Sequence, residues 1–318
     1  MSVYRGLIGI ALLAGLGLYL ANNPNAPRPI DFATNHWLGY EPLYVAEDSG
    51  VIDPQLLRLR TLSSTTDVFR ALRHGEVVGA ALTLDEVLLL AHQGLSLTIV
   101  AVADISNGAD AVLLSRRFPE GETLAGKRIA YEGNVLGAFM VARMVDKLGL
   151  SLMDVALVEA APHEHAALLK TGAVDAVVTY EPYITRMKSS VRKIFTSKDI
   201  PGEIVDVLAV DEQRVTPAQI AHLIMAWRMG VEKLSAGDDE VIENASRRHQ
   251  LAREDVKEAL LDIGFPNVDQ TVGAATTSVD EEHLSRTIDR LWDVMQHVDV
   301  VGDVALMPSV DIRLEIQQ

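Results

Sequence analysis

LLKTGAVDAVVTYEPY, residues 168–183, is the stretch that decides the fold predicted from this sequence. It reads as the end of a helix, a glycine turn, a buried strand at 174–178 and a polar loop, TYE, at 179–181. A helix followed within a few residues by an apolar strand is typical of an α/β protein. The polar residues come directly after the strand, which is where ligands bind in folds of this class.

The same pattern occurs 96 residues earlier, where residues 72–86 read LRHGEVVGAALTLDE. The offset also aligns 31–50 with 127–146 and 59–67 with 155–163, although few of the aligned residues are identical. Both halves therefore read as strands and helices in alternation, with a polar loop after each strand. This internal repeat predicts two similar α/β lobes with a cleft between them.

The composition excludes several classes of partner and of site. A chain of 318 residues, 48% of them hydrophobic, can form two domains that each have a core. Its net charge of -16 argues against binding to nucleic acid or to an anionic membrane surface. The absence of cysteine excludes disulfides, thiolate metal sites and cysteine nucleophiles.

The N-terminus indicates export from the cytoplasm. Arg5 precedes an uncharged apolar run at 6–21, and a linker rich in Pro and Asn follows. The run fits the apolar region of a signal peptide better than a transmembrane helix, which needs about 20 residues. Neither candidate cleavage point after the run has a small residue three positions before it, so removal and retention as an inner-membrane anchor both stay open. We expect residues 1–29 to be a signal peptide or N-terminal anchor plus linker, and the protein to be periplasmic.

Several segments, taken in order, resemble one family of transport proteins. They are W-x-G-Y-x-P-x-Y-x-A at 37–46, SNGAD at 106–110, L-x-G-K at 124–127, G-x-V-D-A at 172–176, E-P at 181–182 and V-D-x-L at 205–208. Together they are similar to the sulfonate, nitrate and thiamine-precursor binding proteins, the SsuA/TauA-like branch of the type II periplasmic solute-binding proteins of ABC importers. The resemblance covers roughly residues 31–263.

The resemblance implies a two-lobed α/β fold, the periplasmic binding protein type II fold. Each lobe would be a mostly parallel sheet flanked by helices, and two crossover strands would join the lobes, which close on one small solute. We place lobe 1 at 30–115 and 205–318, and lobe 2 at 116–204. The implied partners are a small-molecule solute and an ABC transporter permease, with no nucleic acid, no cofactor and no catalysis. We expect a monomer.

The candidate ligand-binding residues lie in loops at strand ends and helix starts. Trp37 and Tyr40 would form an apolar floor that stacks on a ring or covers a cation. Hydroxyls, carboxylates and backbone N–H groups would orient a polar solute; these come from Ser64, Thr65, Thr83, Asp85, Glu132, Gly133, Asn134, Tyr180 and Glu181. Each also has a structural interpretation, as core packing for the aromatic residues and as helix capping for the others.

Acidic residues in both halves favour an amine or a cationic nitrogen heterocycle as the solute. Glu132 supports this preference, because anion-binding members of the family often have small hydroxyl residues at its position. Ser106 and Asp110 flank a glycine beside the crossing between lobes; they either contact the ligand or fix the hinge turn, and we favour the turn. His163 and His165 would not share a helix face and have no evident third ligand, so no metal site is predicted.

Two other functions are compatible with the sequence. The first is a membrane-tethered subunit that senses a ligand for a signalling receptor, in which case residues 6–21 would be retained as the tether. The second is an enzyme of the thiamine-precursor type on the same scaffold, acting on a pyridine or pyrimidine precursor. No catalytic constellation such as a G-x-S-x-G elbow is present, so a non-enzymatic binding protein is the preferred interpretation.

Overall fold

The computed structural model describes residues 28–266, 281–297, 301 and 306–314. The apolar run at 6–21, predicted as a signal peptide or anchor, lies outside these residues. Every helix in the described part of the chain is too short or too polar to cross a membrane.

Strands and helices alternate along most of the described chain. The strands are β1 (Ile30–Thr34), β2 (Leu57–Thr61), β3 (Gly79–Thr83), β4 (Thr98–Ser106), β5 (Asp110–Ser115), β6 (Arg128–Tyr131), β7 (Ala156–Glu159), β8 (Ala176–Tyr180), β9 (Val191–Thr196), β10 (Val205–Val210), β11 (Ile263–Gly264) and β12 (Asp311–Ile312). The helices are α1 (Glu41–Asp48), α2 (Thr65–Arg73), α3 (Leu84–His92), α4 (Val135–Lys147), α5 (His165–Thr171), α6 (Tyr183–Met187), α7 (Pro217–Ala236), α8 (Asp239–His249), α9 (Arg253–Leu260) and α10 (Glu281–His297). Short 3-10 turns cover Leu38–Tyr40, Leu152–Asp154, Pro162–Glu164 and Ser197–Asp199.

The strands form two sheets, one in each lobe. The first sheet has the order β11-β4-β10-β3-β1-β2, with β12 also pairing with β4, and the second has the order β7-β6-β8-β5-β9. In the first sheet β1 runs parallel to β2 and β3, and in the second β6 runs parallel to β7 and β8. β10 and β5 run antiparallel to both of their neighbours, so each sheet is mixed around a parallel core. The two-lobed α/β prediction is confirmed.

Two connections carry the chain between the lobes, and hydrogen bonds tie them together at the hinge. The first leads from β4 to β5 through Gly108, whose φ of 113° favours glycine. The second leads from β9 to β10 through Ser197. The Ser197 hydroxyl accepts the Gly108 N–H at 2.6 Å and lies 2.8 Å from the Ser106 hydroxyl. Ser106 in turn accepts the Asp110 N–H at 3.1 Å, which is the structural role expected of it.

The first crossing between lobes lies earlier in the chain than the sequence suggests. We predict residues 30–115 to belong to lobe 1, but β5 pairs with β8 and β9 in the second sheet. The crossing therefore precedes Asp110, and the Gly- and Pro-bearing loop at 119–126 lies within lobe 2. The apolar pattern of β5 could not reveal this, because it is equally suited to the interior of either sheet. β10 pairs with β3 and β4, so residues 205–210 lie in the first sheet.

Local capping positions the helices that border the cleft. Ser64 precedes α2, and its hydroxyl accepts the Asp67 N–H at 3.2 Å. Asn134 precedes α4 in the same way and accepts the Gly137 N–H at 2.9 Å. Both residues satisfy one of the N–H groups that a helix leaves unpaired at its first turn. The cleft therefore faces the start of one helix from each lobe.

Candidate functional site

A narrow cleft lies between the lobes at the ends of their parallel strands, the usual ligand position in α/β sheets. Its interior cavity measures about 30 Å³, which is room for about two water molecules. The lobes are therefore closed over it. The cleft is lined from lobe 1 by Asn35, Trp37, Tyr40, Thr65, Thr83, Glu86 and Asp206, and from lobe 2 by Asp110, Glu132, Asn134, Leu136, Gly137, Met140, Pro162, Val178, Thr179 and Tyr180.

Most of the candidate residues named from the sequence meet in this cleft: Trp37, Tyr40, Thr65, Thr83, Glu132, Asn134 and Tyr180. Ser64 and Glu181 instead cap helices. The Ser64 hydroxyl is occupied by the start of α2, and the Glu181 carboxylate accepts the N–H and the hydroxyl of Thr185 at 3.1 and 3.0 Å. Both therefore have the capping role that was the alternative interpretation for them.

Asp85 and Gly133 also lie outside the cleft lining. Asp85 is buried in the first turn of α3, and burial raises the pKa of its carboxyl to about 6. Gly133 faces a neighbouring groove on the outer side of the lobe boundary. The residue next to each of them lines the cleft instead. These residues are Glu86, which follows Asp85, and Glu132, a candidate that precedes Gly133.

Three acids that line the cleft are absent from the ligand-binding candidates chosen from the sequence, although Asp110 was considered. Asp206 lies in the apolar strand β10, Glu86 lies in the first turn of α3, and Asp110 opens β5. A fourth acid, Asp104, lies in the apolar strand β4 behind the lining. The signal that could have found Asp104 and Asp206 is a carboxylate in the middle of a buried strand, because such a charge is costly without a partner.

Asp104 and Asp206 form an acid pair held by the two aromatic residues of the first loop. They occupy facing positions on the antiparallel strands β4 and β10. The Trp37 indole Nε1 donates to Asp104 Oδ2 at 3.0 Å, and the Tyr40 hydroxyl donates to Asp206 Oδ1 at 2.5 Å. Burial raises the pKa of Asp104 to about 8 and that of Asp206 well above its usual range. Trp37 and Tyr40 therefore position carboxyl groups as well as provide apolar surface.

The remaining acids of the cleft are also buried. Burial raises the pKa of Asp110 and of Glu132 to about 7, and that of Glu86 well above its usual range. Glu86 Oε2 accepts the Thr83 N–H at 3.0 Å, and Glu86 Oε1 accepts the Asn134 amide at 3.3 Å from the other lobe. None of the described residues lining the cleft is Lys, Arg or His. The site is therefore suited to a positive charge.

Some polar atoms in the cleft are buried without a hydrogen-bond partner among the described residues. They are Thr83 Oγ1 in lobe 1, and Glu132 Oε2, Thr179 Oγ1 and the Tyr180 hydroxyl in lobe 2. Leaving such a group unpaired costs about 1–3 kcal/mol. All four residues line the same cavity, so one polar solute could satisfy them together.

Aromatic rings meet across the boundary between the lobes. The rings of Trp37 and Tyr180 are 5.9 Å apart at 76°, and those of Tyr180 and Tyr183 are 5.4 Å apart at 80°. These edge-to-face pairs hold the rings in fixed orientations. Aromatic rings beside buried carboxylates are a favourable setting for an organic cation. Within the described residues, no three His, Asp or Glu side chains are placed to share a metal ion.

A model of the NMT1-like family matches residues 23–245, most of the sequence. The chain belongs to the NMT1-like family. A comparison of this NMT1-like sequence with curated proteins finds none that matches.

Solved structures similar to the NMT1-like chain include periplasmic binding proteins. The alkanesulfonate-binding protein SsuA from Xanthomonas axonopodis pv. citri, bound to MOPS, is 14% identical over 91% of this chain and 99% of its own, with a TM-score of 0.76. The periplasmic aliphatic sulphonate binding protein SsuA from Escherichia coli is 15% identical over 86% and 94%, with a TM-score of 0.69. The nitrate-binding protein NrtA from Synechocystis PCC 6803 is 12% identical over 91% and 93%, with a TM-score of 0.61.

At these identities the likeness shows the fold that the NMT1-like chain shares with them. Together with the family match, it confirms the resemblance to the sulfonate, nitrate and thiamine-precursor branch and the two-lobed fold that the resemblance implied.

Proposed function

We propose that this protein is the periplasmic solute-binding component of an ABC importer and captures a small organic cation between its lobes. The observation that carries the proposal is the set of buried carboxyl groups at the closed cleft: Glu86, Asp104, Asp110, Glu132 and Asp206. A buried carboxylate is stable only with a partner charge or hydrogen bonds. A cation held among these groups would supply both.

The solute proposed here differs in charge from those in the names of the similar structures. Those names specify alkanesulfonate and nitrate, which are anions. In this cleft no basic side chain faces the cavity among the described residues, whereas Glu86, Asp110, Glu132 and Asp206 do. An anion would be repelled by these groups when they are ionised. The solute class proposed here therefore differs from theirs, although the fold is shared.

The rest of the lining indicates an organic solute. Leu136, Met140 and Val178 form an apolar wall in lobe 2 opposite the aromatic residues of lobe 1. A site lined mainly by apolar surface, with a few convergent polar groups, is typical of small organic ligands. A nitrogen-containing molecule with both a cationic and an apolar part fits this lining.

Capture would proceed by hinge closure. Glu86 and Asp206 belong to lobe 1, whereas Asp110 and Glu132 belong to lobe 2. A cation can contact both pairs only when the lobes are closed, so its greater affinity for the closed form shifts the population toward that form. A membrane permease that recognises the closed form would then receive only loaded protein. We assign no catalytic step to the cleft, and the binding proteins among the similar structures support that assignment.

A thermal-shift screen tests the proposed function. The panel contains primary amines, quaternary ammonium compounds and protonated heterocycles, and a matched set of sulfonates and nitrate. A solute that binds only the folded protein adds ~2.7 kcal/mol to its stability at a hundredfold excess over Kd. We expect shifts with cations and none with anions. Stabilisation by sulfonate or nitrate alone would contradict the proposed charge of the solute.

A further inference from the structure

Glu132 crosses the cleft and contacts the opposite lobe. It follows β6 in lobe 2, and its Oε1 accepts the backbone N–H of Thr66, in the first turn of α2 in lobe 1, at 3.2 Å. The neighbouring N–H of Thr65 also favours the ionised form of the carboxyl, which lowers the pKa that burial raises. The side chain is 6% exposed. A single carboxylate therefore joins the two lobes at the cleft.

The contact completes the start of α2. The first N–H groups of a helix have no partner within the helix, and together they carry a partial positive charge that attracts anions. In α2 the Asp67 N–H is capped by Ser64, whereas the N–H groups of Thr65 and Thr66 face Glu132. Glu132 thus occupies the place that a bound anion would take at this helix.

The second oxygen of the same carboxylate is free for a solute. Glu132 Oε2 is buried in the cleft lining and has no hydrogen-bond partner among the described residues. The carboxylate thus has one oxygen that holds the lobes together and another that can contact a cation. The Glu132 side chain is therefore placed to take part in both solute binding and lobe closure.

The residues next to Glu132 border a second space at the lobe boundary. A groove of about 470 Å³ is lined by Thr66 from one lobe and by Gly133 and Asn134 from the other. Asn134, whose amide donates to Glu86, lines both this groove and the inner cavity.

We propose that Glu132 is a built-in anion that fills the anion position of α2 on closure, and that it thereby latches the lobes and excludes anionic solutes. This role rests on the proposed function and deepens it, because it makes Glu132 the residue that determines the charge of the solute. Removal of the carboxylate would leave the Thr65 and Thr66 N–H groups exposed to the enlarged cavity. A small inorganic anion could then occupy the vacated position.

The test compares Glu132→Ala and Glu132→Gln with the control Glu159→Ala in the full-length protein. Glu159 is an exposed acid at the end of β7 in the same lobe, so its loss changes the net charge equally. The first readout is hydrogen exchange in the first turn of α2, and the second is the Kd of sulfate measured at about pH 8, where Glu132 in the wild type is mostly ionised. The glutamine side chain keeps an oxygen that can accept the Thr66 N–H but carries no charge. The Glu132→Gln variant therefore distinguishes the effect of the contact between lobes from the effect of the charge.

We expect Glu132→Ala to accelerate exchange at the start of α2 at least ~10-fold and to bind sulfate at least ~10-fold more tightly than wild type. Glu132→Gln should retain the protection but lose affinity for the best cation of the panel. Unchanged exchange and unchanged sulfate affinity in Glu132→Ala would overturn the proposal, even if cations bind the wild type. If wild type binds no cation while both Glu132→Ala results are as expected, the proposed function fails and the role of Glu132 stands.

Discussion

Asp206 is an acidic residue in an otherwise apolar strand, and it lines the candidate site. Every other side chain of β10 is apolar, and the whole strand is buried. The carboxyl group is tolerated there because Tyr40 donates to it and Asp104 lies on the adjacent strand. The loop residues Trp37 and Tyr40 could be predicted from their position after a strand. The acid pair could not, since it forms only when β4 and β10, far apart in sequence, become neighbours.

Replacement of Asp206 by Asn should separate binding from stability. Tyr40 can still donate to the amide oxygen, but the negative charge is lost. Since a hydrogen bond to a charged group contributes about 1.5–3 kcal/mol, we expect cation affinity to fall roughly 10- to 100-fold. Thermal unfolding without solute should show equal or higher stability, because one carboxyl group of a buried acid pair is removed. Calorimetric titration and melting curves measure the two effects, and lower stability with unchanged affinity would contradict the assignment.

The pH dependence of the solute-free protein should follow the buried acids. Asp104 has a pKa of about 8, and Asp110 and Glu132 have pKa values of about 7, all above the values of about 4 expected in the unfolded chain. A raised folded pKa gives stability that is fully present below the unfolded pKa and is lost as the pH rises through the folded pKa. We therefore expect melting temperatures to fall between about pH 6 and pH 8.5.

Cation affinity should change in the opposite direction over the same interval, because the cation binds the ionised carboxylates. Melting curves recorded with and without the solute at each pH check both trends in one experiment. Below about pH 4 the exposed acids Asp175 and Asp199, whose pKa values are lowered, should reverse the stability trend as they become protonated. A solute-induced shift that is independent of pH would contradict a role for the buried acids.

At the scale of elements, the strands and helices of the internal repeat could be predicted because apolar periodicity and glycine turns mark them. The predicted strand at 174–178 corresponds to β8 (Ala176–Tyr180), and Ser64 caps α2, which was the alternative role considered for it. β9 (Val191–Thr196) was not predicted. It is an edge strand in which Arg192 and Lys193 interrupt the apolar pattern, and it gains its strand conformation by pairing with β5.

The packing of α7 against α1 supports the loop that carries Trp37 and Tyr40. Gly230 on α7 approaches α1 so closely that an added Cβ would lie 1.9 Å from the Pro42 carbonyl oxygen. The helices must separate to accept any side chain there. This close approach could not be foreseen, because a glycine inside a helical pattern carries no information about its neighbour.

Gly230→Ala should therefore destabilise the protein despite the higher helix propensity of alanine. Overpacking of this kind costs about 1–3 kcal/mol or more, so we expect a clear fall in melting temperature. Met229→Ala, at the adjacent and partly exposed position of the same helix, is the matched control and should have little effect. Chemical denaturation of the two variants gives the comparison. Equal stabilities would show that α1 and α7 can adjust without cost.

At the scale of the whole molecule, the lobes also meet outside the cleft, through a buried apolar cluster and through polar contacts. The Arg186 guanidinium donates to the His249 carbonyl at 3.2 and 2.6 Å, and Lys188 pairs with Asp255 at 2.5 Å. An exposed ion pair contributes only about 0–1 kcal/mol. The acids brought together in the cleft oppose closure when they are ionised. A solute that neutralises them would therefore favour closure.

The net charge of -16 shows that the protein as a whole is acidic, like its cleft. An acidic protein with an acidic cleft attracts cations from a distance and repels anions, and this effect weakens as salt is added. The overall charge could be read from the composition. The clustering of acidic residues at the cleft could not be read from the composition. These acids come from separate parts of the chain: β3–α3, β4, β5, β10 and the loop after β6.

The central claim is that the closed cleft selects a positive charge. The most direct test is calorimetric titration of the full-length protein at about pH 8, where Asp110 and Glu132 are largely ionised. The ligands are the best quaternary ammonium hit of the panel and its uncharged isostere, in which carbon replaces the charged nitrogen. We expect the cation to bind at least ~10-fold more tightly than the isostere. Equal affinity for the two, or tighter binding of a sulfonate than of either, would contradict the claim.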